Sequence, residues 1–188
     1  MALTLVKETG AGLSTANSYA TVAEATSYHE GHLYGTVWTA ATAGQQASAL
    51  VMATRLIDSL FRFSGYRANE AQALQWPRAW VPDPDAVPFA PGPNPLASNP
   101  FYGFLDWTSM PADLVNATCE LARVLLTSDR TALTGTEGIS SMSIAGAVSF
   151  DFTPADRPEI IPDLVKQMLS RWGVVESSHS WCVKLVRV

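Results

Sequence analysis

Charged residues are scarce in this chain. Asp, Glu, Lys and Arg make up only 15% of its 188 residues, whereas 47% are hydrophobic. The surface of a soluble monomer usually carries about 25–35% charged residues, so we expect much of this surface to lie against other subunits. The net charge of −5 also argues against a protein that grips nucleic-acid phosphates along a basic surface.

Targeting segments and long apolar runs are missing as well. The N-terminus has no basic region followed by an apolar run, so no signal peptide is predicted. No stretch approaches the roughly 18 apolar residues of a membrane span, which predicts a protein made and kept in a cytosol or in something assembled there. Cys119 and Cys182 are too far apart to indicate a disulfide framework, and both are expected to be reduced, buried thiols.

No motif for catalysis, metal binding or phosphate binding appears. His29 and His32 are close in sequence, but a zinc site needs three or four convergent ligands, so we expect core or interface histidines. Gly10 and Gly12 lack the strand, helix and lysine of a phosphate loop. We therefore predict no enzyme, no catalytic residue, no metal and no cofactor. The enzymatic alternative is a small hydrolase with its pocket under a proline-rich insert.

The clearest helical periodicity lies at residues 45–63. Asp58 and Arg62 lie on its polar arc with the spacing of an i,i+4 ion pair, and Ser64-Gly65 is expected to end the helix. The apolar residues that share the opposite arc are Leu50, Ala53, Leu56, Ile57, Leu60 and Phe61.

A wider apolar arc marks residues 111–130 as the central, most buried helix. Pro111 lies in its first turn and Asp113 near the positive end of its dipole. The polar stripe holds only Asn116, Glu120, Arg123 and Thr127. We predict that this helix packs antiparallel to the helix at residues 45–63.

Two shorter helices complete a predicted bundle of about four. One begins with a capping box, Thr21-Val-Ala-Glu24, and runs to about Leu33, with His29 and Leu33 on its apolar face. The other spans about residues 162–172, with Gly173 as its cap. The apolar face of this last helix holds Leu164, Val165, Met168, Leu169 and Trp172. The first twenty residues, small and polar, form a loop or an arm.

A period of two replaces the helical pattern at residues 138–153. A three-residue loop, Ala145-Gly-Ala147, keeps the apolar positions facing one another, which predicts a hairpin at residues 141–152 with Gly146 at its tip. Its apolar side holds Met142, Ile144, Val148 and Phe150. Because an isolated hairpin is marginal in water, this one needs a partner, either within the chain or from the next subunit.

Nine of the twelve prolines lie at residues 77–111. The insert at residues 81–110 is therefore irregular, and its aromatic residues indicate that it folds over the domain or packs on a neighbour. We divide the chain into a helical domain at residues 1–173, which includes this insert and the hairpin, and a C-terminal arm at residues 174–188. The fold class is thus mainly α, with a hairpin, a long insert and an extended arm.

The tail at residues 180–188 has the pattern of an apolar strand at a chain terminus. Termini are normally polar and frayed. The tail is either a docking arm that adds a strand to another protein, or an edge strand of its own domain. In the first case the docking residues are Trp181, Val183, Lys184, Leu185, Val186, Arg187 and Val188.

The segment at residues 72–80 is the most informative. We interpret Trp76, Pro77 and Arg78 as a structural turn, in which Trp76 is buried and Arg78 binds a carboxylate or carbonyl group. In the alternative, Trp76, Arg78 and Trp80 stack nucleic-acid bases, as in single-strand binders. Such sites come with a positive groove, which an acidic chain does not favour.

The order of several short segments resembles a family of small tailed-phage proteins. The segments are Asn17-Ser-Tyr19, Ala23-Glu-Ala25 with Tyr28, residues 47–58, Gly65, Gln72-Ala-Leu-Gln-Trp-Pro-Arg78, Met110-Pro111, Ala117 and Glu120-Leu-Ala122. The family is often labelled DnaT-like single-stranded DNA-binding, and its members resemble head–tail adaptors, or head completion proteins. The likeness covers about residues 15–128, although the insert at residues 81–107 is longer than the family pattern.

This resemblance implies a helical bundle that forms a ring, commonly of twelve subunits, beneath the portal. In such a ring we expect the hairpin at a subunit boundary or facing the central channel, and the docking arm on the portal or a neighbouring subunit. The expected partners are further copies of the chain, the portal protein and a tail or nozzle protein, and no membrane. Double-stranded DNA is expected to pass without specific binding, because an acidic wall repels phosphates. The expected location is the head–tail interface of the virion, after synthesis in the host cytoplasm. The family label itself supplies the alternative, a single-stranded DNA-binding module.

Overall fold

The computed structural model describes residues 3–86, 103–132, 141–144, 148–151 and 159–176. Five helices lie in these ranges: α1 (Val22–Glu30), α2 (Thr36–Ala40), α3 (Ala43–Leu60), α4 (Ala112–Thr127) and α5 (Asp163–Leu169). Six short strands form three antiparallel pairs: β1 (Phe61–Phe63) with β6 (Gly173–Val175), β2 (Tyr66–Arg67) with β3 (Arg78–Ala79), and β4 (Ser141–Ile144) with β5 (Val148–Asp151). This α-rich fold agrees with the predicted class, and α2 is a helix that the sequence pattern did not reveal.

Capping boxes begin both α1 and α3. The Glu24 amide donates to the Thr21 hydroxyl and the Thr21 amide donates to the Glu24 carboxylate, as predicted. Thr42 and Gln45 form the same arrangement in front of α3, so this helix starts two residues before its predicted start. Each box satisfies amides that the first turn of a helix leaves without a partner.

The core lies between α3 and α4, and α1, α2 and α5 also pack on α4. The prediction of a central helix is thereby confirmed, although α4 ends at Thr127, three residues before the predicted end at residue 130. The fully buried residues of this core include Leu50 and Ile57 of α3 and Leu114 and Leu121 of α4.

The two long helices run in opposite directions. The C-terminus of α3 continues into β1, which pairs with β6. Trp172, just before β6, donates through Nε1 to Asp113 Oδ2 in the first turn of α4 (3.1 Å). At the start of α3, Gln46 Nε2 donates to the carbonyl of Trp38 in α2 (2.9 Å), and α2 packs on α4. The end of α3 and the start of α4 are therefore neighbours.

The helix predicted to end at Phe63 is three residues too long, since α3 ends at Leu60. The next three residues form β1, because they find backbone partners in β6. The same pairing corrects the role of Gly173, which begins β6 and does not cap a helix. A Cβ atom on Gly173 would lie 2.6 Å from the carbonyl oxygen of Arg62, so the close approach of the strands requires glycine. β6 also extends past the predicted boundary between the helical domain, which was placed at residues 1–173, and the C-terminal arm.

Two leucines that were placed on buried faces are exposed. Leu33 is 86% exposed, because α1 already ends at Glu30 and Leu33 lies in the turn that follows. Leu164 is half exposed in α5. The other predicted face residues of this helix are buried or half-buried, namely Val165, Met168, Leu169 and Trp172.

Glu120 was assigned to a polar stripe, but it is buried where α1 meets α4. Its carboxylate binds Arg123 and lies 3.8 Å from His32 Nε2. His29 Nε2 lies 3.1 Å from the carbonyl oxygen of Cys119, and burial lowers the pKa of His29. Cys119 is a buried free thiol, as predicted, and burial raises its pKa to about 12.

The N-terminal segment is a packed loop. Glu8 is fully buried, and its carboxylate accepts hydrogen bonds from the amides of Gly10, Gly12 and Leu13 at 2.8–3.0 Å. Tyr19 is also fully buried. The loop therefore belongs to the core of the domain.

The β4–β5 hairpin has the predicted register. Ile144 lies opposite Val148, and Met142 lies opposite Phe150. Gly146, the expected tip, lies outside the described residues, as do Cys182, residues 87–102 of the insert and the docking residues of the tail. The position of the hairpin at a subunit boundary or channel stays a prediction.

Leu121→Ala should lower the free energy of unfolding by about 2–5 kcal/mol, because it leaves a cavity between α3 and α4. Urea unfolding followed by circular dichroism measures this loss. The matched control is Leu33→Ala at an exposed leucine, which should change stability by less than about 0.5 kcal/mol. Equal effects of the two substitutions would contradict the assigned core.

Candidate interaction surface

The half-buried carboxylate of Asp58 joins α3 to the segment that precedes the Trp76-Pro77-Arg78 turn. Tyr19 donates its hydroxyl proton to Asp58 Oδ1, and the Gln75 amide donates to Asp58 Oδ2 (3.0 Å). The Trp76 amide donates to the Tyr19 oxygen (3.2 Å). The predicted ion pair with Arg62 is therefore wrong, because Asp58 faces the interior and Arg62 lies in β1. Burial raises the pKa of Asp58 to about 6.

Trp76 supplies the apolar part of the turn. The sequence analysis expected it to be buried, and its exposed fraction is 0%. Its ring packs edge-to-face against Phe63 and Trp172, with centroid distances of 5.9 and 6.3 Å. The Trp76–Pro77 peptide bond is cis. An indole enclosed in this way cannot stack on a nucleic-acid base.

Arg78 supplies the polar part of the turn. Its Nε donates to the carbonyl of Ser64 (2.7 Å), and its Nη2 donates to those of Gly65 (2.6 Å) and Phe63 (3.3 Å). Its Nη1 donates to the carbonyl and the side-chain oxygen of Gln75 (3.2 and 3.1 Å). A guanidinium has five N–H groups, and these five bonds use all of them. Arg78 therefore has no donor left for a phosphate.

Trp80 points from this fixed turn into solvent. Its backbone φ is 61° and its exposed fraction is 59%. A bulky residue rarely adopts positive φ, and such strain is typical of binding sites. Glycine at position 65 allows the two chain segments to approach this closely, because a Cβ atom there would lie 2.3 Å from the Ala79 carbonyl oxygen. The Phe104 ring packs edge-to-face on the indole, with a centroid distance of 5.4 Å.

The proline-rich insert begins and ends beside Trp80. The Leu105 amide donates to the carbonyl of Val81 (2.9 Å), and the Asp83 amide donates to that of Gly103 (3.0 Å). These two bonds bring the two ends of the insert together.

Exposed rings lie beside Trp80, and exposed arginines lie on the neighbouring segments α3, β1 and β2. We define the arginine–aromatic face as Arg55, Arg62, Tyr66, Arg67, Trp80 and Phe104. Tyr66 is 74% exposed and lies in β2 opposite Ala79, the residue before Trp80. Within the described residues, Arg55 and Arg62 form no ion pair, and Arg67 binds the carbonyl of Gln72. The segments around Trp80 and Phe104 thus hold exposed carboxylates, at Asp85 and Asp106, as well as exposed arginines.

Other kinds of site have less support in the described part of the chain. No three His, Cys, Asp or Glu side chains in these ranges are arranged to hold a metal ion. No described helix is both long and apolar enough to cross a membrane. An open groove of about 690 Å³ lies between α1 and α4, lined by residues such as Lys7, Glu24, Tyr28, Met110 and Val115. This groove shares no residue with the turn or with the arginine–aromatic face.

One comparison with known proteins finds a match in the N-terminal part of the chain. Residues 3–92 match the model of a family described as "Putative DnaT-like ssDNA binding protein". The matched segment includes α1, α2, α3 and the whole turn, and it ends inside the insert. No curated protein and no solved structure matches the chain significantly. The DnaT-like part of the predicted resemblance is confirmed for these residues.

The burial of Asp58 predicts an unusual pH dependence of stability. The folded state holds the Asp58 proton more tightly than the unfolded chain, whose pKa is 3.8. The resulting stabilisation is fully present below about pH 4 and is lost as the pH rises through 6. Relative to Asp58→Asn, which does not titrate, the wild type should lose roughly 3 kcal/mol between pH 4 and pH 7. Urea unfolding at a series of pH values measures the difference, and two parallel stability profiles would contradict this assignment.

Proposed function

We propose that the protein is a structural, non-enzymatic subunit of a tailed-phage virion: a head–tail adaptor that associates with copies of itself in a ring beneath the portal. The observation that carries this proposal is the arginine–aromatic face. Trp, Tyr and Arg are the residue types that contribute most to protein–protein binding. Here a fixed turn holds Trp80 in solvent at a strained φ of 61°, which favours a surface built for a protein partner.

The chemistry of the Trp-Pro-Arg segment supports the same proposal. Trp76 is enclosed in the core, and every N–H group of Arg78 binds an oxygen atom of the protein. Trp76 and Arg78, two of the three side chains considered for base stacking, therefore stabilise the fold and are not available to DNA. The low charge content of the chain, 15%, further favours a surface shared among subunits.

The remaining partners follow from the adaptor proposal. The portal protein lies on one side of the ring and a tail or nozzle protein on the other, and double-stranded DNA passes through without specific contacts. The apolar tail with Trp181 and Leu185 would dock on the portal or a neighbour by strand addition. The hairpin would lie at a subunit boundary or along the channel, and the protein would reside at the head–tail interface of the virion.

A second candidate function is single-stranded DNA binding. Trp80 and Tyr66 expose rings on which bases can stack, and Arg55 and Arg62 offer cations without ion-pair partners among the described residues. The description of the matched family names the same ligand. Both candidates use the arginine–aromatic face. They differ in what this face binds, which is another protein subunit in the first case and single-stranded DNA in the second.

The adaptor proposal predicts that the purified protein sediments at several times the mass of one chain and binds a labelled oligothymidine weakly.

The second candidate predicts tight binding of the oligothymidine. The logarithm of the binding constant should then fall steeply with the logarithm of the salt concentration, with a slope of about 0.7 for each phosphate neutralised. In that case Trp80→Asn should weaken DNA binding about 5- to 150-fold, while Leu164→Asn, an exposed residue outside the face, should not. Sedimentation velocity and fluorescence anisotropy at two salt concentrations provide the two measurements. A monomer with tight, salt-sensitive DNA binding would refute the adaptor proposal.

A further inference from the structure

The two ends of the proline-rich insert form a short antiparallel ladder. Pro82 lies opposite Phe104, with one backbone hydrogen bond on each side of the pair. Because side chains alternate between the two faces of a ladder, these two residues share one face, whereas Val81 and Leu105 share the other. The first pair is exposed, and the second pair is buried or half-buried. One face of the ladder is therefore directed to solvent.

Trp80 and Asp106 lie at one end of this ladder. Trp80 precedes Val81 and Asp106 follows Leu105, and the amide of Leu105 donates to the carbonyl of Val81 (2.9 Å), so the two residues are neighbours across the ladder. Both are exposed. The Asp106 carboxylate has a fixed position, because its Oδ1 accepts hydrogen bonds from the amide and the hydroxyl of Thr108 (2.8 and 2.7 Å).

The other end of the ladder carries further negative charge. The amide of Asp85 donates to Asp83 Oδ1 (3.0 Å), which holds the two residues in one turn. Asp85 pairs with Arg171 at the surface (3.2 Å), whereas Asp83 and Asp106 form no ion pair within the described residues. We define the acidic–aromatic surface as Trp80, Pro82, Asp83, Asp85, Phe104 and Asp106.

Rings beside carboxylates suit a cation that is carried by an apolar segment. An ammonium or guanidinium group is attracted to the face of an indole and to a carboxylate at the same time, and the rings cover apolar side chains next to the cation. The same carboxylates repel phosphate groups. The chemistry of this surface therefore favours a basic, apolar protein segment as its ligand.

The C-terminal tail, residues 177–188, has this composition. It contains no Asp and no Glu, and its two cations, Lys184 and Arg187, each lie between two aliphatic residues. Trp181 adds a large apolar side chain. The tail lies outside the described residues. Its sequence matches the acidic–aromatic surface both in charge and in apolar character.

The last described residues direct the tail away from the acidic–aromatic surface of its own chain. β6 runs antiparallel to β1, and just beyond it the Glu176 amide donates to the carbonyl of Leu60 (2.8 Å). Arg78 holds the turn against the opposite end of β1, at residues 63–65. At residue 176 the chain therefore leads away from the turn that presents Trp80, which favours a second copy as the acceptor.

We propose that the acidic–aromatic surface of one copy binds the C-terminal tail of a neighbouring copy. The rings of Trp80 and Phe104 contribute the apolar contact. Lys184 and Arg187 pair with the carboxylates of the surface. Because the contact uses different surfaces on the two partners, its repetition produces a ring or a filament. This inference rests on the self-association in the proposed function and names the surface that receives the tail.

A labelled peptide of residues 177–188 tests the proposal on the full-length chain. The receptor carries Trp181→Asp, so that its own tail competes weakly. Trp80→Asn should weaken peptide binding about 30-fold, because asparagine tolerates positive φ but has no ring. Asp106→Asn, which keeps an acceptor for Thr108 and removes the charge, should weaken binding about 2- to 5-fold at low salt. Fluorescence anisotropy in a reducing buffer measures these changes.

The matched control is Leu164→Asn, at an exposed leucine outside the surface, and it should leave peptide binding unchanged. A peptide with Lys184→Glu and Arg187→Glu should bind at least about 10-fold more weakly, because it brings like charges together. Urea unfolding of each receptor shows whether it is folded, and Phe104→Ala replaces Trp80→Asn if that variant is not.

Two results would overturn the assigned contact: no binding of the peptide, or binding that Trp80→Asn leaves unchanged. If the wild type still sediments as an assembly of several chains, the adaptor proposal stands in either case. A peptide that binds while the wild type sediments as a monomer would refute both proposals, because the tail would then bind its own chain.

Discussion

The exposed position of Trp80 depends on the hydrogen bonds that the guanidinium group of Arg78 donates. Burying a cation is costly unless all its donors are satisfied, and here five oxygen atoms satisfy them. Three of these belong to residues 63–65 and two to Gln75, so one side chain holds the end of β1 against the segment before the turn. Asp58 and Tyr19 hold that same segment from the other side.

This fixed geometry gives two nearby tryptophans different roles. Trp76 fills the core between Phe63 and Trp172, whereas Trp80 stands in solvent against Phe104. The segment at residues 76–80 has the composition of a base-stacking site, but Trp76 and Arg78 are buried and only Trp80 is exposed. The buried residues explain why the segment is rigid, and the exposed Trp80 is where a partner can bind, whether that partner is a neighbouring subunit or a single strand of DNA.

Local patterns were sufficient for the elements that depend on local physics. The Thr21 capping box, the buried α4 and the register of the hairpin all follow from spacing, and the Thr-x-x-Gln pattern at Thr42 was a missed signal of the same kind. The inward-facing position of Asp58 was not predictable, because its partner comes from elsewhere in the chain: Tyr19 lies 39 residues before Asp58. The end of α3 was missed because β6, more than 100 residues later, decides it. The turn at Trp76 was predicted as structural, but nothing in the sequence indicated the positive φ that exposes Trp80.

The replacement Arg78→Lys tests the central claim most directly, because it keeps the charge and removes the fork of donors. An ammonium group has three donors instead of five, so carbonyl groups at residues 63–65 or at Gln75 lose their partner. The account predicts a loss of roughly 3 kcal/mol in the free energy of unfolding, measured by urea titration, with no effect specific to DNA. Wild-type stability together with a selective loss of affinity for single-stranded DNA would contradict it.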